Sequence, residues 1–130
     1  MNWRILFATT LLLGSAPVAA YADNIKVGVV GPFTGPSARI GQDIQNGTKM
    51  AIEDAIAAGE LPVTVDGEKR GIDIVWIDDE SSPEKAVKSY RDATSREGVE
   101  LLLNGWHGSV GLALIDLTEA DGMISFGNLA

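Results

Sequence analysis

Few side chains in this chain could do chemistry, and they fall in two places. The first is Asn104-Gly105-Trp106-His107-Gly108-Ser109, a loop leading into a helical pattern. Ser109 is placed to cap that helix, a role serine fills well. A helix N-terminus leaves backbone N–H groups unpaired and carries the positive end of the dipole, so it suits an anion. Gly105 and Gly108 would let a ligand approach the backbone closely. Trp106 is suited either to wall a pocket or to pack beneath the loop. His107 is the one histidine of the chain. It could add a donor, but no serine–aspartate arrangement around it is visible and no catalytic role is read into it. The second place is Asp78-Asp79-Glu80. Such acidic runs end strands in metal and phospho-acceptor sites. The plainer reading is a solvated loop whose charge favours the N-terminus of the next helix.

The chemistry that is missing narrows the classes further. There is no cysteine, hence no thiol nucleophile and no disulfide framework to read. The stretch from Gly31 to Gly41 lacks the Gly-Lys-Ser/Thr of a nucleotide P-loop and the Gly-x-Gly-x-x-Gly of a dinucleotide fold. Gly105-x-x-Gly108-x-x-Gly111 is too loose a spacing to stand for either. The site is therefore expected to use no cofactor and no metal. The formal charge of −8 argues against nucleic acid, which needs a basic face.

The elements that position these residues alternate in type. Ile25 to Val30 is a β-branched apolar run bounded by Gly31 and Pro32, which predicts a buried parallel strand. A helix follows over Ala38 to Ala58, with Ile44, Thr48, Ala51, Ile52, Ala55 and Ile56 inward and Gly59 as its stop. Asp66-Gly67 predicts a hairpin between Val63 and Gly71. Ile72 to Ile77 is a second apolar strand. Ser81 or Ser82 caps the next helix, with Pro83 in its first turn and Glu84 set for a capping box with Ser81. Ala86, Val87, Tyr90 and Ala93 form its inner stripe, and Gly98 closes it. Val99 to Leu103 is a third strand. A helix starting at Ser109 turns Val110, Ala113, Leu114, Leu117 and Ala120 inward, and Met123 to Phe126 is a fourth strand.

Right-handed crossovers fold this order into an α/β, doubly wound parallel sheet with helices on both faces. Counting the four apolar strands, the expected order is 2-1-3-4, with the switch point between the first and third. Ligands of such sheets bind outside the carboxyl ends of the strands. That places Gly35 in one wall, Trp106, His107, Gly108 and Ser109 in the next, and the end of the fourth strand, Leu129 and Ala130, as a third contact.

Residues 1–22 read as an export signal. Arg4 precedes an apolar core from Ile5 to Leu13, and Ala20-Tyr21-Ala22 makes a small-x-small cleavage site before Asp23. The apolar run falls short of the roughly 20 residues that span a bilayer. Loss of Arg4 leaves the mature chain one unit more negative. Residues 23–130 are read as one incomplete α/β lobe, because the chain stops just past a strand with no covering helix.

The ordered set of motifs resembles the N-terminal part of a type I periplasmic solute-binding protein of the branched-chain amino acid transport family. The matching residues run Ile25-Lys26-Val27-Gly28-Val29-Val30-Gly31-Pro32-Phe33-Thr34-Gly35-Pro36, then Gly41, then Asn46-Gly47 into Ala51-Ile52-Glu53-Asp54. Asp78-Asp79 before Ser82-Pro83-Glu84-Lys85-Ala86-Val87, Gly98-Val99, and Asn104-Gly105 to Ser109 continue the match in order. The resemblance implies two α/β lobes closing over a ligand in the cleft, with this chain supplying much of the first. It implies that Ser109 is the serine that bonds the ligand carboxylate. Ile40 falls where leucine-binding relatives often carry an aromatic, and Trp106 and His107 stand where the family is usually smaller or aliphatic. The implied ligand is a small amino acid or related carboxylate, the implied partners are ABC transporter permease subunits in the inner membrane, and the implied location is the periplasm. Two other classes share the fold: the ligand-sensing domain of a signalling receptor, and an exported α/β enzyme, for which this chain lacks a nucleophile elbow and a partnered histidine.

Overall fold

The computed structural model describes residues 23–127. The export signal and the contacts expected from Leu129 and Ala130 lie outside the described residues. The first apolar run forms β1 (Ile25–Gly31), flanked by β4 (Ile72–Asp78) and β5 (Leu101–Asn104), with β6 (Ile124–Gly127) at the edge. All pairings in this sheet are parallel, and the order β4-β1-β5-β6 is the 2-1-3-4 order expected of the apolar strands. The register pairs Gly31 with Asp78 and Val30 with Asn104, so three strands end in line. The short strands β2 (Val63–Val65) and β3 (Glu68–Arg70) form the separate hairpin. Asp66 and Gly67 both hold positive φ, at 51° and 85°, as a type I′ turn requires.

One face of the sheet carries the core. Val30, Ile77 and Leu102 pack against Ala86 and Tyr90 of α2 (Pro83–Asp92), Ala93 just beyond it, and Val110 and Leu114 of α3 (Gly108–Ala120). Gly28 lies on this face because a Cβ there would stand 2.8 Å from Ile77 Cδ1. Buried Tyr90 satisfies its hydroxyl by donating to Asp121 Oδ2 at 2.9 Å. A π-helical turn, Ala93–Glu97, extends α2 and ends at Gly98, whose φ of 70° reverses the chain. Thr94 and Ser95 donate their hydroxyls back to carbonyls of that helix and relieve the widened turn.

The other face carries α1 (Ala38–Ala57). Its N-terminal end sits tightly on the Pro32-Phe33 backbone that follows β1, with Gly41 buried. Its C-terminal half stands over an apolar groove lined by Val27, Ile72, Leu101 and Leu103. Ala51, expected to point inward, lines this groove but stays exposed because the groove is open, and Ile56, also expected inward, is 58% exposed. Gly59 ends the helix as expected: its N–H donates to Ile56 and that of Glu60 to Ala55, a Schellman closure.

Three local expectations change. Ser81 takes a left-handed backbone with φ of 63°, so Ser82 is the cap of α2; it accepts from Lys85 N–H and the Ser81–Glu84 box does not form. Helix α3 begins at Gly108 with His107 at its cap, one residue ahead of the expected start, which puts Ser109 inside the first turn. Ala120 is exposed, and Thr118 is buried in its place because its hydroxyl bonds to Ile115 C=O within the helix.

Candidate functional site

Three loops leave the carboxyl ends of β1, β4 and β5 and meet above the sheet. The β4 loop holds the β1 loop by hydrogen bonds and faces the β5 loop across a gap. Asp78, the last residue of β4, accepts four hydrogen bonds. Phe33 N–H (2.9 Å), Thr34 N–H (3.2 Å) and Glu80 N–H (3.0 Å) donate to Oδ1, and the Thr34 hydroxyl donates to Oδ2 at 2.6 Å. Burial pulls the Asp78 carboxyl up. The bonds from the Thr34 hydroxyl and from the backbone of Glu80, Thr34 and Phe33 outweigh it and hold the group below the usual carboxylate range. The carboxylate thus fixes the start of the β1 loop, and the Phe33 ring leans edge-on against Trp76 of β4 with centroids 5.2 Å apart.

From above, Gly41 locks the same loop. A Cβ at Gly41 would lie 2.3 Å from Pro32 O and 2.8 Å from Phe33 Cα, so only glycine lets α1 settle there. Gly35, φ 82°, turns the exposed tip of the loop. Ile40 is half-buried beside it in the first turn of α1.

Asp79 turns inward. It is 1% exposed, so at this residue the acidic run departs from the solvated loop its sequence suggests, while Glu80 is exposed as expected. Its Oδ1 accepts Ser81 N–H at 2.6 Å, and its Oδ2 lies 3.9 Å from His107 Nδ1 across the gap to the β5 loop. Burial pushes the Asp79 carboxyl up, while Ser81 N–H and His107 act against that rise and Asp78 adds to it.

The β5 loop presents the α3 N-terminus. The first intrahelical bond runs from Gly111 N–H to His107 C=O, so the N–H groups of Gly108, Ser109 and Val110 have no carbonyl within the helix. His107 makes no side-chain cap bond, and α3 has no acidic residue in its first turn to occupy the positive end. Ser109 is exposed and does not serve as the cap. Trp106 is 47% exposed and stands edge-on to the His107 ring at a centroid distance of 6.3 Å; it does not pack beneath the loop.

The structure thus has Trp106, His107, Gly108 and Ser109 at one helix start, with Gly35 on the loop of the adjacent strand and Ile40 in the first turn of the helix that follows it. Asp78 and Thr34, which tie the β1 loop to the β4 loop, and Asp79, which faces His107, were not among the expected site residues. The available signal was the acidic pair ending a strand predicted to lie beside the Phe33-Thr34 loop.

Residues 24–130 match the profile of the periplasmic binding protein family, and the chain belongs to that family. The resemblance read from the sequence is borne out. The chain is 31% identical over 119 residues to the leucine-, isoleucine-, valine-, threonine-, and alanine-binding protein of Pseudomonas aeruginosa, covering 92% of this chain and 30% of that protein. It is 29% identical over 128 residues to Leu/Ile/Val-binding protein homolog 3 of Brucella melitensis, covering 95% and 32%. Among solved structures, an ABC transporter solute-binding protein from Rhodopseudomonas palustris, in complex with 3,4-dihydroxybenzoic acid, aligns with a TM-score of 0.64 at 25% identity. That alignment covers 80% of this chain and 26% of the other. The chain spans about a third of the length of the curated relatives it matches.

Proposed function

We propose that this chain is part of an extracytoplasmic substrate-binding component of an ABC transporter, and that it captures a small amino acid or related carboxylate. The observation that carries the reading is the α3 N-terminus. It offers three N–H groups without helical partners and an exposed Ser109 hydroxyl that does not cap the helix. A carboxylate is the ligand group such a site takes. The amino acids named for the Pseudomonas relative and the dihydroxybenzoic acid bound by the Rhodopseudomonas protein share that group. The β1 loop, with Gly35 and Ile40, forms the neighbouring wall; Trp106 lies over the side of the ligand. The protein acts by capture and release, delivering to permease subunits in the inner membrane from the periplasm, after export directed by residues 1–22.

The test is calorimetric titration of the full-length protein with a panel of amino acids and small aromatic acids, wild type against Ser109→Ala. Removing one hydroxyl bond to a charged group costs about 1.5–3 kcal/mol, roughly tenfold to a hundredfold in affinity. Because Ser109 is not the cap, stability is expected to stay level. Unchanged affinity for the best ligand would place the site elsewhere.

A further inference from the structure

The β4 and β5 loops leave two buried side-chain atoms without a hydrogen-bond partner among the described residues, Ser81 Oγ and His107 Nδ1. Asp79 Oδ2 lies 3.9 Å from His107 Nδ1, too far for a hydrogen bond. Buried polar groups are almost always paired; the open Nδ1 fits a neutral ring that carries its proton on Nε2, and a charged ring, a donor at both nitrogens, supplies the N–H that closes the pair. The His107 side chain keeps 26% of its surface exposed while Nδ1 is sealed, so the opposite edge of the ring is the part open to solvent. His107 is also the cap residue of α3, so its ring stands beside the start of the proposed ligand site.

We propose that His107 and Asp79 form a proton-operated latch on the ligand loops. With the imidazole charged, Nδ1–H closes on Asp79 Oδ2 and draws the Trp106–Ser109 corner onto the β4 loop. The added positive charge beside the α3 N-terminus then strengthens capture of a carboxylate. This last step rests on the carboxylate reading of the site; the latch itself does not.

The charges around the ring set the direction. From the β4 loop, Asp79 faces it directly, and Asp78 stands behind with its carboxylate already holding four donors. At the α2 start, Glu80 and Lys85 pair with each other. Helix α3 has no charged side chain in its first turn, but its dipole disfavours a cation at that end. In the first turn of α1, Arg39 is exposed. The buried Asp79 carboxylate opposes the dipole, and an arriving ligand carboxylate adds a second negative charge. The complex therefore holds the proton more tightly than the free protein, and linkage requires affinity to rise as the pH falls and the imidazole takes up its proton.

Two measurements on the full-length protein test this. In the ligand-free protein labelled at histidine, NMR at pH 5.5 is expected to show an exchange-protected His107 Nδ1–H that is missing at pH 8 and in Asp79→Asn. Its absence at pH 5.5 in the wild type overturns the latch. In the second, L-leucine and 3,4-dihydroxybenzoate are titrated at pH 7.5 and 5.5, in buffers of differing ionisation heat. The bound probe is expected to tighten by about threefold or more at the lower pH with proton uptake, and His107→Gln is expected to lose both effects. A pH dependence equal in His107→Gln and wild type overturns the coupling to capture. Failure of both probes to bind at either pH counts against the carboxylate reading alone, and the ligand-free spectrum still decides the latch.

Discussion

Replacing Gly41 by alanine separates a close backbone approach from helix propensity. In an ordinary helical position glycine is less favourable than alanine by about 0.8–1 kcal/mol, so the change should stabilise. At Gly41 the added Cβ would lie 2.3 Å from Pro32 O and 2.8 Å from both Pro32 C and Phe33 Cα. These are backbone atoms of a fully buried proline and its neighbour, not the flexible end of a side chain. Relief requires α1 to lift or the Pro32-Phe33 backbone to shift, and the second option pulls Phe33 and Thr34 N–H away from Asp78. Overpacking of this kind costs about 1–3 kcal/mol, enough to outweigh the propensity gain. Gly47 supplies the control, since it lies in the same helix with nothing within 4 Å of its added Cβ. Urea unfolding of the full-length protein is expected to show a lower midpoint for Gly41→Ala, and an equal or higher one for Gly47→Ala, at unchanged slope. If Gly41→Ala matches Gly47→Ala, the tight seating of α1 on the β1 loop is refuted.

Asp78→Ala is expected to cost about 1–3 kcal/mol, because it strips the acceptor from three backbone N–H groups; hydrogen exchange should report faster opening at Phe33 and Thr34. The Asp78 carboxyl is held below its usual range in the folded protein, so its stabilisation is complete above the unfolded value near 3.9 and fades as pH falls below it; an acid titration of the same two amides checks this. The Tyr90 hydroxyl is pushed up to about 12 by burial first and then by Asp121. Its stabilisation is therefore full below pH ~10, where the unfolded tyrosine titrates, and lost as pH rises from there to about 12. Tyr90→Phe should cost about 1 kcal/mol and flatten that alkaline loss in unfolding curves. Mass spectrometry of periplasmic material should find a mature N-terminus at Asp23, and an intact Met1 in a membrane fraction would count against the export reading.

Much of the fold was legible because its signals are local. The β-branched run Ile25 to Val30, the positive-φ positions Asp66-Gly67 and Gly98, and the Ala86–Tyr90–Ala93 stripe each act within a few residues. The rule for right-handed crossovers then left one plausible strand order, and the sheet has it. The rule for open α/β sheets placed the candidate site at the carboxyl ends of the strands, and Trp106, His107, Gly108 and Ser109 lie at the end of β5. What the sequence could not decide were choices between neighbours whose outcome depends on distant partners. His107 rather than Ser109 heads α3, and Ser82 rather than Ser81 heads α2. The sharpest case is Asp78 and Asp79. They are identical in type and adjacent in the chain, and a local reading must treat them alike. The fold lowers the proton affinity of one, by donors 44 and 45 residues away, and raises that of the other by burial, which outweighs the opposing pull of a histidine on the far loop. Propensity acts along the chain, whereas burial and hydrogen-bond partners are set by which strands lie side by side, so only the tertiary structure could tell the two carboxylates apart.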